Sequence, residues 1–142
     1  MNLGEQFGSE VVTVAPDDSI QHVAWKMKDE NIGAVVVVDG SQKVVGIVTD
    51  RDLAIKLGLG DADPETPVEQ VMNKKVLTIW DDQGVFNATQ YMMGHHVRRL
   101  PIVDRQDRLV GMVTMDDIFA LLAQELRNLS EAVTPSLANK EK

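Results

Sequence analysis

The feature that most constrains this chain is that it repeats itself. Residues 12–54 align with residues 77–119 at a constant offset of 65, without a gap. Ten of the 43 aligned pairs are identical: Thr13/Thr78, Asp17/Asp82, Met27/Met92, Val38/Val103, Asp39/Asp104, Val45/Val110, Gly46/Gly111, Val48/Val113, Thr49/Thr114 and Asp52/Asp117. Four of them fall together at the end of each copy as Gly-x-Val-Thr-x-x-Asp. One architectural unit used twice must bury each copy's apolar face within the copy or against the other.

Each copy reads as strand, helix, strand, strand, helix. In the first, the β-branched run Val11 to Val14 precedes helix-start chemistry at Pro16, Asp17, Asp18 and Ser19. Ile20, Val23, Ala24 and Met27 then form one stripe of a 3.6-residue period, ending near Asn31 to Gly33. Val35 to Val38 is too continuously apolar for a half-exposed strand, so cover on both faces is expected. A turn at Asp39-Gly40-Ser41 leads into a strand, Val44 to Thr49, and a second helix from Asp50 carries Leu53, Ile55 and Leu57. The second copy predicts strands at Val76 to Ile79, Leu100 to Val103 and Leu109 to Thr114, with a turn at Arg105 to Asp107. Its helices are expected from about Gly84 to Met93 and from Asp116 towards Leu129.

Thr66-Pro67-Val68-Glu69 has the form of a helix start that leads into copy two, and Leu3 to Phe7 is its counterpart before copy one. The division expected is therefore 1–65 for the first repeat with its lead-in and linker, 66–130 for the second, and a frayed, polar tail at 131–142.

Composition narrows the function classes. Lys and Arg number 14 against 22 Asp and Glu, a net charge of −8 with a pI near 4.7. Non-specific binding to nucleic acid or to an anionic membrane needs the opposite balance. Cysteine is absent, which excludes disulfides, thiolate metal sites and thiol nucleophiles. The N-terminus has no basic start followed by an apolar core, and no window approaches the ~20 apolar residues of a membrane span. A cytoplasmic protein is expected.

The doubled motif, GIVTDRD at 46–52 and GMVTMDD at 111–117, sits where a strand hands over to a helix. Free backbone N–H groups and the positive end of the helix dipole suit an anion there. The Thr hydroxyl adds a donor, and the Asp carboxylate can accept two hydrogen bonds from a ribose diol. The same Thr and Asp are also good capping residues with no ligand at all. His95 and His96 are adjacent and lack a third ligand pattern, so no metal is expected. Asp17/Asp18, Asp81/Asp82 and Asp116/Asp117 lack the opposed geometry of a hydrolase pair. Met27, Met92, Met93 and Trp25 read as packing residues. No catalytic constellation emerges.

These motifs, their spacing and the strand pattern resemble the tandem cystathionine-β-synthase-type (CBS) domain pair, or Bateman module, over roughly residues 3–129. The resemblance implies an α/β fold of two β-α-β-β-α repeats packed about a pseudo-two-fold axis. It implies a non-catalytic regulatory role and adenosine ligands of the AMP, ADP or ATP class, with S-adenosylmethionine or NAD as further candidates. It also implies a homodimer built through helices, in line with the wide apolar arc Ile118, Phe119, Leu121, Leu122 and Leu126, and a regulated protein on a separate chain.

Carried over residue by residue, one cleft would use Thr114 and Asp117 with Thr13, Ile32 and Gly33. The other would use Thr49 and Asp52 with Thr78, Val97 and Arg98. A basic pair before the second strand contacts phosphate in similar proteins. Only copy two has one, Arg98 and Arg99, and on that ground the Asp117 cleft is ranked first. Trp80 is placed near an adenine in the Asp52 cleft, as a stacking partner or a plug, and Arg51 is a further phosphate candidate beside an ordinary surface reading. The competing reading is a ligand-independent dimeric adaptor.

Overall fold

The computed structural model describes residues 1–141, with side chains described through residue 134. Its elements are α1 (Leu3–Phe7), β1 (Thr13–Val14), α2 (Ile20–Glu30), β2 (Ala34–Val38), β3 (Val44–Thr49) and α3 (Asp50–Gly58). A 3₁₀ turn (Val68–Gln70) follows, then β4 (Ile79–Trp80), α4 (Val85–His95), β5 (Arg99–Val103), β6 (Leu109–Thr114) and α5 (Met115–Glu141). Two three-stranded sheets, β1-β2-β3 and β4-β5-β6, each pair the first two strands in parallel and the last two antiparallel. The α/β tandem repeat expected from the sequence is the fold observed.

The duplication extends to single backbone conformations. Asn31 and His96, 65 apart, both end their helices in the left-handed region, at φ 53° and 54°. Gln42 and Asp107 occupy that region in the two hairpins, at φ 65° and 63°. Asp39 and Asp104, identical in sequence, do identical work. The Oδ1 of Asp39 accepts from the amides of Ser41 and Lys43, and that of Asp104 from those of Gln106 and Arg108. Such side-chain turns fix the hairpins without relying on glycine.

β2 and β5 are buried from their second residue onward, as their unbroken apolar runs require. The cores, however, do not divide between residues 65 and 66. Leu3, fully buried, packs with Ile79, Ala88, Met92, Leu100, Ile102, Val113 and Ile118 of the second copy. Val68 and Val71, from the lead-in to copy two, pack with Val14, Ile20, Val23, Val35, Val37 and Val48 of the first. Each lead-in crosses to the other repeat, and the hydrogen bonds that hold it are symmetric. The amides of Leu3 and Gly4 donate to the carbonyls of Gln83 and Asp81, and those of Val68 and Glu69 donate to Asp18 and Pro16.

The motif glycines make this crossing possible. A Cβ on Gly111 would lie 2.5 Å from the carbonyl oxygen of Phe7 and 3.1 Å from the Cα of Gly8. On Gly46 it would meet the Met72 side chain, with Cγ 2.7 Å away. Gly46 and Gly111 are thus required by the close approach of a foreign backbone or side chain to the sheet.

Local expectations differ from the structure in several places. β1 and β4 have two residues each, because the chain before each is a lead-in that runs beside the other repeat and meets its sheet only at isolated bridges, Gly8 with Gly111 and Asn73 with Ile47. The Thr66-Pro67 start yields only a 3₁₀ turn, with Pro67 in the capping position and no side-chain cap; Thr66 Oγ1 instead accepts from the Asp63 amide. Ala24, Trp25 and Met93 are exposed rather than packed, and Lys28 lies over the Trp25 ring at 4.9 Å. The segment after Ser130, expected as a tail, belongs to α5; Lys142 lies outside the described residues.

Because backbone cannot retreat as a methionine side chain can, Gly111→Ala is expected to cost about 1–3 kcal/mol. Gly46→Ala is expected to cost clearly less. Urea unfolding of the two variants measures the order directly.

Candidate functional site

Where β3 and β6 end, the doubled motif folds into two identical structures. The Thr49 hydroxyl accepts from the Asp52 amide at 3.1 Å, and Asp52 Oδ2 accepts from the Thr49 amide at 3.0 Å. The Thr114 and Asp117 pair repeats this at 3.0 and 2.9 Å. These are reciprocal capping boxes that start α3 and α5. The capping role weighed from the sequence is therefore real. It occupies one carboxylate oxygen of each Asp, and Oδ1 of each has no hydrogen-bond partner among the described residues. Both Asp residues are half-buried.

Beside each motif lies a cavity walled by both repeats. The first, about 330 Å³, is lined by Ser9 to Val12, by Ile32, Gly33 and Ala34, and by Arg99, Met112 and Thr114. The second, about 210 Å³, is lined by Ile47 and Thr49, by Asn73 and Lys75 to Leu77, and by Val97, Arg98, Arg99 and Pro101. Most of the two linings exchange under the 65-residue offset: Val11/Val76, Val12/Leu77, Ile32/Val97, Gly33/Arg98, Met112/Ile47 and Thr114/Thr49. They are one site formed twice along the seam.

The structure gathers Ile32, Gly33, Arg99 and Thr114 at the first cavity, and Thr49, Val97, Arg98 and Arg99 at the second. It leaves Asp52, Asp117, Thr13 and Thr78 off both linings. Thr13 faces a neighbouring cavity, and its carbonyl accepts from Lys26 Nζ at 2.9 Å. The lead-ins at 9–12 and 73–77 take the places given to Thr13 and Thr78. Sequence reasoning missed Val11, Val12, Val76 and Leu77 because their apolar character reads as strand, and only the crossing of the lead-ins brings them to the seam.

The basic pair also falls differently from the ranking. Arg99 borders both cavities, and Arg98 borders the Thr49 cavity, not the Thr114 cavity that the pair was used to favour. Neither arginine side chain makes a hydrogen bond or ion pair to another described residue, so both guanidinium groups are free to meet an anion. Arg51 lines neither cavity.

Trp80 lines neither cavity as well. Its exposed ring is covered by the Arg105 guanidinium, 3.8 Å from the ring centroid, and Arg105 Nε bonds Asp82 Oδ2 at 2.7 Å. The hydrogen bond from Arg105, reinforced by its charge, holds the Asp82 carboxyl below the ordinary carboxylate value. Asp104 is likewise held low, chiefly by the Arg108 amide and then by the Gln106 amide and the Arg108 side chain. Among the described residues, no group of three or more His, Asp or Glu side chains is placed to hold a metal. Among the described residues, no helix is long and apolar enough to cross a membrane.

Two α/β repeats that exchange lead-ins and enclose a pair of equivalent seam cavities define a class of tandem-repeat module. The sequence profile described as CBS domain matches residues 7–58 and 68–124. The chain belongs to the CBS domain family.

Its relatives include the CBS domain-containing protein YhcV of Bacillus subtilis, 40% identical over 111 residues, spanning 78% of this chain and 77% of that one. An uncharacterized protein of Methanopyrus kandleri is 33% identical over 139 residues, covering 92% and 71% of the two chains. The solved CBS domain pair of protein MJ0100, in complex with 5′-methylthioadenosine and S-adenosyl-L-methionine, superposes with a TM-score of 0.77 at 27% identity, over 88% of this chain and 98% of that one. CBSX2 in complex with AMP gives a TM-score of 0.74 at 21% identity, over 87% and 96%, and speaks for the fold alone.

A carboxyl with a lowered pKa stabilises the fold at pH above its unfolded value and loses that contribution as pH falls through the folded one. For Asp82 the contribution is therefore lost on the acid side of the ordinary Asp range. Arg105→Ala is expected to move the Asp82 midpoint back upward and to leave that of Asp104 in place. A carboxyl-detected NMR titration reads both midpoints.

Proposed function

We propose that the chain is a non-catalytic regulatory module that binds an adenosine-containing ligand in the seam between its repeats. The observation that carries this reading is the pair of cavities, each walled by both repeats and each beside a Thr/Asp motif whose Asp keeps one oxygen free. AMP, ADP and ATP are the leading ligands, with S-adenosylmethionine and NAD behind them. The adenosine-derived ligands of the MJ0100 domain pair support that class.

In this reading Asp52 and Asp117 receive ribose hydroxyls on Oδ1 after a small side-chain adjustment. Thr49, Thr114, Arg98 and Arg99 receive phosphate, and Ile32, Gly33 and Val97 frame the base side. Thr13 and Thr78 line neither cavity, and the lead-ins form the wall there. A ligand bridging the repeats favours one arrangement of the two halves, and a partner protein reads that arrangement. A homodimer through α4 and α5 completes the proposal. Met93, Phe119 and Leu122, exposed in the single chain, border an apolar groove of about 530 Å³ between those helices.

The capping boxes favour a second reading, a ligand-independent dimeric adaptor, since they give Thr49, Asp52, Thr114 and Asp117 a complete structural role. Calorimetry with AMP, ADP, ATP, S-adenosylmethionine and NAD separates the two. Saturable binding of any one is the expected result, and silence from all five favours the adaptor. Asparagine retains an oxygen to cap the helix, so Asp52→Asn and Asp117→Asn should weaken binding at their own cavities by roughly ten- to a hundredfold, the size of a lost charge-assisted hydrogen bond. Unchanged affinity in both variants removes the ribose role.

A further inference from the structure

The two cavities share a shape and differ in charge. Where the first is bordered by Glu10, the second is bordered by Lys75. Where the first has Gly33, the second has Arg98, and Arg99 is common to both. The side chains lining the Thr49 cavity therefore comprise three cations and no anion, whereas those lining the Thr114 cavity comprise one of each.

Residues behind the walls reinforce the contrast. The Asp50 carboxylate stands against Gly33, with Oδ2 3.3 Å from the point where a Cβ on that glycine would lie, so a further negative charge backs the first cavity. In the second copy the position of Asp50 is held by Met115. The next position is Arg51 beside the Thr49 motif and Asp116 beside the Thr114 motif. The Thr and Asp of the two motifs are the same and cancel in the comparison. Among the positions that line the cavities, each charge difference makes the Thr49 side the more positive.

Resting on the adenosine-ligand reading above, we propose that the exchange of Glu10 for Lys75 and of Gly33 for Arg98 sorts ligands by charge. The Thr49 cavity takes a phosphorylated adenosine ligand. The Thr114 cavity favours an adenosine ligand without net negative charge, a neutral nucleoside or a cationic derivative, and holds a phosphorylated one more weakly. A dianionic phosphate beside Glu10 and Asp50 is repelled, and beside Lys75, Arg98 and Arg99 it is attracted; with shape held nearly equal, charge sets the choice. One chain thereby reports on two chemically distinct forms of an adenosine ligand.

Glu10 and Lys75 are both exposed, and neither side chain makes a hydrogen bond or ion pair among the described residues, so reversing either charge should leave the fold intact. Calorimetry on the full chain at low ionic strength, with AMP and with adenosine as the probes, tests the assignment. Lys75→Glu is expected to weaken AMP by about three- to tenfold and leave adenosine unchanged, the scale of an exposed charge acting through solvent. Glu10→Lys is expected to raise the AMP affinity of the weaker cavity by a similar factor. AMP affinity should fall with added salt and adenosine affinity should not. If both probes bind but neither substitution separates them, charge sorting is wrong and the adenosine reading stands. If neither probe binds the unaltered chain, the adenosine reading falls and the sorting falls with it. Equal thermal midpoints for the three proteins keep folding out of the comparison.

Discussion

The structure depends on a close approach. The lead-in to each repeat crosses to the other, and it reaches the sheet there because Gly46 and Gly111 present no side chain at the point of contact. That one allowance has three consequences. Leu3 and Val68 complete the opposite cores, the halves cannot separate without uncovering both, and the strands of chain at 9–12 and 73–77 are drawn along the seam as cavity walls. The glycine of each Gly-x-Val-Thr-x-x-Asp motif is therefore a packing residue, although its neighbours are the candidates for binding. Nothing about an anion requires it.

The Thr and Asp of the same motif have two capacities in one geometry. A carboxylate with both oxygens engaged by backbone would be purely structural, and one with neither engaged would cost the helix its start, about 0.5–2 kcal/mol. Asp52 and Asp117 lie between these cases, with one oxygen committed and one available. Helix initiation and ligand recognition are compatible at such a residue, and they are also coupled.

The repeat makes most of the fold legible in the sequence. The unbroken apolar run Val35 to Val38 announced the double-sided burial of β2, and the constant offset carried each element of the first copy onto the second. What the sequence could not convey was the crossing. Val11 and Val76 have the same local pattern whether they pair in a strand or pass to the other repeat, since periodicity is a property of neighbours and the exchange is a property of distant contacts. The basic pair misled for the same reason. Arg98 and Arg99 are adjacent in the chain, yet Arg98 borders only the Thr49 cavity and Arg99 borders both, a difference that proximity in sequence could not convey. Trp80 was read as a base-stacking partner or a plug because its place in the repeat falls near an adenine in the family the chain resembles; Arg105, 25 positions on, already occupies its face.

The capping geometry has a mechanical corollary. Asp117 fixes the first turn of α5, which runs unbroken from Met115 to Thr134 ahead of Pro135 and over that stretch is a rod of about 30 Å. Rotating its base by five degrees sweeps the far end of that stretch through roughly 2.6 Å, a simple ratio of arc to radius at that length. The carboxylate thus works as the fulcrum of a long lever, and a tug too slight to disturb either core is magnified at the other end.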